Sequence, residues 1–105
     1  MTIEEVMTIT ETELKIKWNE GLEIFQVSLR DYVGVGHGYG IETIENKGSG
    51  ILTGTWGGGK TKKQAILNYC SRIEGLILVK DGMDRYKRRE YPMPDRITCP
   101  KIPAN

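Results

Sequence analysis

A chain of 105 residues with 28% charged and 38% hydrophobic side chains and a formal net charge of +1 has room for one core and is too apolar to stay globally disordered. Its two cysteines, Cys70 and Cys99, and its single histidine, His37, rule out a disulfide framework and a four-ligand cysteine-histidine zinc site. No apolar stretch is long enough to cross a bilayer, and Glu4 and Glu5 stand where a secretory leader would be basic, so a cytoplasmic protein with no membrane partner is expected.

The small net charge conceals a division. Residues 1–56 hold four basic and nine acidic side chains, net −5, and residues 57–105 hold eleven basic and five acidic ones, net +6. Such a molecule can offer a basic surface to phosphates or to an acidic partner, or the two halves can attract one another across the fold.

At the start of the chain, Thr2 and Glu5 have capping spacing, with Ile3, Val6 and Met7 as a short apolar face, while Thr8, Thr10 and Thr12 favour extended chain. Helix and extended chain both remain open there. From Glu13 the alternation is clean, with Leu14, Ile16 and Trp18 on one face and Lys15 and Lys17 on the other, which predicts a half-buried strand. Asn19, Glu20 and Gly21 mark a hairpin turn. A second strand over 22–30 places Phe25, Val27 and Leu29 together.

The stretch 31–40 is glycine-rich and contains His37. Extended, it would have one bare face; otherwise it is a loop, and His37 lacks the partners that a metal or a triad requires. Two further strands, 40–45 and 50–56, are joined by a polar turn at 46–49. Trp56 closes the second of them, as a core or edge plug or as an exposed stacking platform.

The segment 54–61 reads Gly-Thr-Trp-Gly-Gly-Gly-Lys-Thr and satisfies the phosphate-cradling pattern G-x-x-x-x-G-K-[ST], in which Lys60 would reach terminal phosphates and Thr61 would hold magnesium. The glycines read equally as a flexible hinge feeding a helix. That helix, over 61–74, has Thr61 as its cap, Gln64 completing the box, and Ala65, Ile66, Tyr69, Cys70 and Ile73 as a buried stripe, with Gly75 ending it. Leu76 to Val79 is then apolar enough for a buried strand, and Lys80, Asp81 and Gly82 turn the chain. Beyond it, Arg85, Lys87, Arg88 and Arg89 alternate with Tyr86 and Tyr91, and Pro92, Pro94, Pro100 and Pro103 impose an extended course. Such a segment grips nucleic acid or serves as a solvated linker.

Gly58-Gly59-Lys60-Thr61-Lys62-Lys63-Gln64-Ala65 resembles the junction that opens the last helix of double-stranded RNA-binding domains. The resemblance covers about eight residues and implies that Lys60, Lys62 and Lys63 grip phosphates across the major groove. The wider pattern, from Gly59-Lys60-Thr61 through Ala65-Ile66, Tyr69 and Ile73 to Glu90-Tyr91, is similar to small proteins of phages and mobile elements. That similarity implies a non-enzymatic accessory role, including inhibition of a host nuclease or defence protein.

These readings combine into one α+β domain over 1–105: an antiparallel sheet of about four strands, one main helix on a face, and a basic extended tail at 83–105. Asp81, Asp84 and Glu90 are scattered among arginines and read as surface pairs, so no enzyme, cofactor or metal is expected. The expected function is a binding module whose Lys60, Thr61, Lys62, Lys63, Arg85, Lys87, Arg88 and Arg89 contact phosphates of duplex RNA or DNA. The alternative is an inhibitory protein docking on an acidic protein surface, or imitating nucleic acid with its acidic half. Nucleotide binding at Lys60 and Thr61 ranks third.

Overall fold

In the computed structural model the described residues are 1–29, 54–82 and 85–99, with the backbone of 41–44. The elements in chain order are α1 (Ile3–Thr10), β1 (Leu14–Asn19), β2 (Ile24–Leu29), β3 (Ile41–Ile44), β4 (Gly57–Gly59), α2 (Lys62–Ile73), β5 (Ile77–Lys80) and β6 (Arg89–Pro92). The α+β class and antiparallel pairing are as expected. The strands, however, form two three-stranded sheets, β1-β2-β4 and β3-β5-β6, where the sequence predicts one of about four, and a second helix accompanies the main one. The expectations for 31–40 with His37, for the turn at 46–49, and for Asp84, Pro100 and Pro103 lie outside the described residues.

The open start resolves as helix. Thr2 caps α1 by accepting a hydrogen bond from the Glu5 amide at 3.2 Å, and Glu4 and Glu5 in the first turn complement the helix dipole. Thr10, fully buried, sends its hydroxyl back to the Val6 carbonyl at 2.7 Å. This satisfies a side chain that would otherwise compete with the helical backbone.

β1 and β2 pair in a hairpin whose register sets Trp18 opposite Phe25, Ile16 opposite Val27 and Leu14 opposite Leu29. β4 adds Gly59 beside Phe25 and Gly57 beside Val27. One face of this sheet therefore carries the cross-strand rows Trp18-Phe25-Gly59 and Ile16-Val27-Gly57. Of the fourth predicted strand, 50–56, residues 50–53 lie outside the described residues, while 54–56 are corrected: they are outside any strand, and the glycines after Trp56 are the strand.

α2 lies over β4 and β2. Its stripe is the predicted one, with Ala65, Ile66, Tyr69, Cys70 and Ile73 all buried. The glycines make this approach feasible, because a Cβ on Gly57 would stand against the Tyr69 amide nitrogen and 2.5 Å from the Ala65 carbonyl oxygen. Tyr69 crosses the core to accept a hydrogen bond from the Leu29 amide at 3.1 Å. After Glu74, Gly75 takes a left-handed turn at φ 73° into β5.

The described part of the predicted tail, 85–99, opens on a turn and continues into a strand, and it belongs to the fold rather than trailing from it. β6 pairs with β5, and Met93 and Ile97 are buried in the core with Ile3, Val6, Val27, Leu29 and Leu78. The Met93 amide donates to the Leu76 carbonyl at 2.8 Å and the Gly75 amide to the Pro94 carbonyl at 2.9 Å. Thr98 bridges Thr2 in parallel, receiving the Ile3 amide at 2.8 Å.

Lys80, expected in a turn, ends β5 and is buried. Its ammonium donates to the Thr10 carbonyl at 3.2 Å and the Glu11 carbonyl at 3.4 Å, and lies 3.8 Å from the Glu11 carboxylate. α1 has no basic residue in its last turn, so Lys80 supplies from another strand the charge that the helix end favours. Replacing Lys80→Met is expected to cost about 2 kcal/mol, the value of charged hydrogen bonds to carbonyls. A lowered urea midpoint with unchanged m-value would report it.

Candidate nucleic-acid interface

The turn between Gly59 and Lys62 brings the helix start to the rim of the β1-β2-β4 sheet. Thr61 is extended, at φ −121° and ψ 158°, and its hydroxyl accepts the Gln64 amide at 3.1 Å. The cap is as expected. The reciprocal half of the box is not made: the Gln64 side-chain amide donates to Asn68 Oδ1 at 3.2 Å, and Asn68 in turn donates to the Gly58 carbonyl at 2.6 Å.

This geometry bears on the phosphate-loop pattern. Gly57, Gly58 and Gly59 are extended and laddered to β2, so they are a strand and not a loop wrapped about a polyphosphate, and Thr61 is engaged as a cap. What survives of the pattern is its end, a helix start with lysines around it.

That start is electrostatically unusual. α1 opens on Glu4 and Glu5, but α2 has no acid in its first turn and places Lys62 and Lys63 there. Two cations at the positive end of a helix oppose its dipole, and an anion there would offset both. Lys60 and Lys63 are exposed and Lys62 is half-buried.

The sheet supplies what the lysines lack. The Lys62 ammonium sits 5.9 Å from the centre of the Phe25 ring, within cation–π reach. Phe25 packs edge-on against Trp18, with ring centres 4.8 Å apart and an interplanar angle of 64°. The row Trp18-Phe25-Gly59 leads straight to the helix start, because Gly59 is the last residue of β4. α2 covers β4 and β2, so β1 projects beyond it, and Trp18 is left 44% exposed and Ile16 37% exposed on that same sheet face. Leu22, in the hairpin turn, is 59% exposed.

Trp56 is on the opposite side, where its ring and Ile24 are what a Cβ on Gly58 would meet. The Arg72 guanidinium lies 5.7 Å from the Trp56 ring centre. Trp56 is thus an edge plug that keeps 37% of its surface.

Arg85, Lys87, Arg88 and Arg89 are exposed and lead into β6, on the other sheet from Lys60, Lys62 and Lys63. Arg85 lies 5.5 Å from the ring centre of Tyr86. Arg88 pairs with Glu90 at 3.4 Å and Arg89 with Glu11 at 3.7 Å. The expected basic residues are therefore two groups, and the second is partly neutralised. Trp18 and Phe25 are the residues that sequence reasoning missed, because only strand register places them beside Lys62.

Comparison with protein-family models, with curated proteins and with solved structures finds no match. Among the described residues no group of three or more histidine, cysteine, aspartate or glutamate side chains is placed to hold a metal ion, and no helix is long and apolar enough to cross a membrane.

Proposed function

We propose that the chain is a binding protein for nucleic acid, in which Lys60, Lys62, Lys63 and the α2 start capped by Thr61 grip phosphates while Trp18 stacks on an unpaired base. The observation that carries this reading is the contiguity of cation and aromatic surface, with Lys62 over Phe25 and Phe25 against the exposed Trp18. Phosphate contacts position a strand, and aromatic faces take bases in a sequence-tolerant way. An exposed tryptophan beside a phosphate site favours single strands and loops over an intact duplex, whose bases are already stacked. Arg85, Lys87, Arg88 and Arg89 have a secondary part in this reading, as a second basic strip reached by longer strands.

The test is a titration with single-stranded and duplex oligonucleotides at two salt concentrations. Lys63→Glu is expected to weaken binding about tenfold, flatten the salt dependence and, by correcting the charge at the helix start, raise the melting temperature slightly. Those opposite signs separate a binding residue from a structural one. Trp18→Ala is expected to abolish the preference for single strands. Absence of binding at low salt would overturn the proposal.

A second reading rests on a different observation. Ile16, Trp18 and Leu22 are three exposed apolar side chains of one hairpin, and beside Lys62 they suit a protein partner with an apolar centre and an acidic rim. Tight capture of such a partner by a protein that ignores oligonucleotides would favour it.

A further inference from the structure

Cys70 and Cys99 are the only cysteines of the chain, and the fold brings them together. Cys70 is on the buried side of α2, and Cys99 packs against the same core cluster from the end of the C-terminal segment. Each thiol is near enough to the other to bear on its ionisation, and the carboxylate of Glu74, four residues beyond Cys70, holds the amide two residues before Cys99. Cys99 follows Thr98, which is fixed by its bridge to Thr2, and Ile97, whose amide donates to the Glu74 carboxylate at 2.6 Å.

We propose that Cys70 and Cys99 are a modification site: a thiol pair that a peroxide converts to an intramolecular disulfide, stapling α2 to the C-terminal segment. Cys99 is the less buried of the two and is the one that meets the oxidant. Its sulfur attacks one peroxide oxygen, the O–O bond breaks, and the sulfenic acid forms with release of water when the oxidant is hydrogen peroxide. The Cys70 sulfur then attacks the Cys99 sulfur; the S–S bond forms, the S–O bond breaks, and the Cys70 proton leaves with the hydroxyl as a second water. Two thiols are oxidised by two electrons in all, and one peroxide is reduced to two waters. A dithiol reductant reverses the step by exchange.

The surroundings make this a slow pair at neutral pH. Burial pushes both thiols up from their ordinary range, and the carboxylates of Glu4 and Glu74 push in the same direction. A Glu4 carboxylate oxygen is itself buried without a hydrogen-bond partner, so its charge is poorly screened by water. Since the thiolate is the attacking species, oxidation accelerates as pH rises, unlike that of an acidic surface thiol.

The experiment uses the full chain, fully reduced, desalted and exposed to hydrogen peroxide under native conditions. Intact mass should fall by two hydrogens, native thiol titration should go from two groups to none, and peptide mapping should join Cys70 to Cys99. The melting temperature of the oxidised protein should rise by on the order of 10 °C, the effect of closing a loop in the unfolded chain. A dithiol should restore the original mass and midpoint. Cys99→Ser should leave Cys70 unreactive in the folded state. Disulfides that join separate molecules would overturn the proposal, as would an internal bond that appears only in denaturant or a native protein that keeps both thiols.

Discussion

Gly57→Ala is expected to destabilise the protein by at least about 3 kcal/mol, lowering the melting temperature by more than about 10 °C for a domain of this size. The added methyl would meet the Tyr69 amide and the Ala65 carbonyl oxygen, both backbone atoms of α2, so no rotamer change relieves it and the helix must lift from the sheet. Gly58→Ala is the matched control. It lies in the same strand with the opposite facing, and its methyl would meet side-chain atoms, Ile24 Cδ1 and a Trp56 ring carbon, each at 2.8 Å. Those can move, and neither glycine has a positive φ. Near-equal losses in thermal melts of the two variants would refute close helix packing as the reason for the glycines.

Tyr69→Ala is expected to cost about 4 kcal/mol, the range for truncating a large buried aromatic. Tyr69 is 1% exposed and bonds the Leu29 amide at 3.1 Å. Tyr69→Phe separates the contributions: the ring stays, the amide loses its partner, and about 1–2 kcal/mol should go with it. Equilibrium denaturation of the three proteins checks the ordering. A Phe variant as stable as the parent would mean that water replaces the hydroxyl.

Where an element follows from its own residues, the sequence reading and the structure agree. The stripe Ala65, Ile66, Tyr69, Cys70 and Ile73 and the Thr61 cap are local patterns, and both are present. The alternation in β1 and β2 likewise yields a hairpin. Where a distant partner decides, the pattern is silent. Gly57–Gly59 has every mark of a flexible turn, and it is a strand because α2 must come close to it. Lys80 closes an apolar run, and its acceptors are at the other end of the chain, at Thr10 and Glu11. Met93 and Ile97 have no periodicity among their prolines and polar neighbours, yet both are in the core.

The candidate site divides in the same way. Lys60, Lys62 and Lys63 are legible because a helix start is a local event. Trp18 and Phe25 are not, because they join the lysines through the pairings Trp18 with Phe25 and Phe25 with Gly59. The expectation that Ile16 and Trp18 line a buried face fails for a related reason: α2 is centred on β2 and β4 and does not reach over β1.

The attachment of α1 bears on how the protein is made. With eight residues, α1 is too short to persist alone in water, and what holds it comes late in the chain: Lys80 at one end and Thr98 at the other, with Arg89 pairing to Glu11. α1 thus leaves the ribosome well before the residues that secure it. Until residues near 98 emerge, Ile3 and Val6 have only part of their final neighbours, and a nascent chain that stalls before that point leaves α1 exposed.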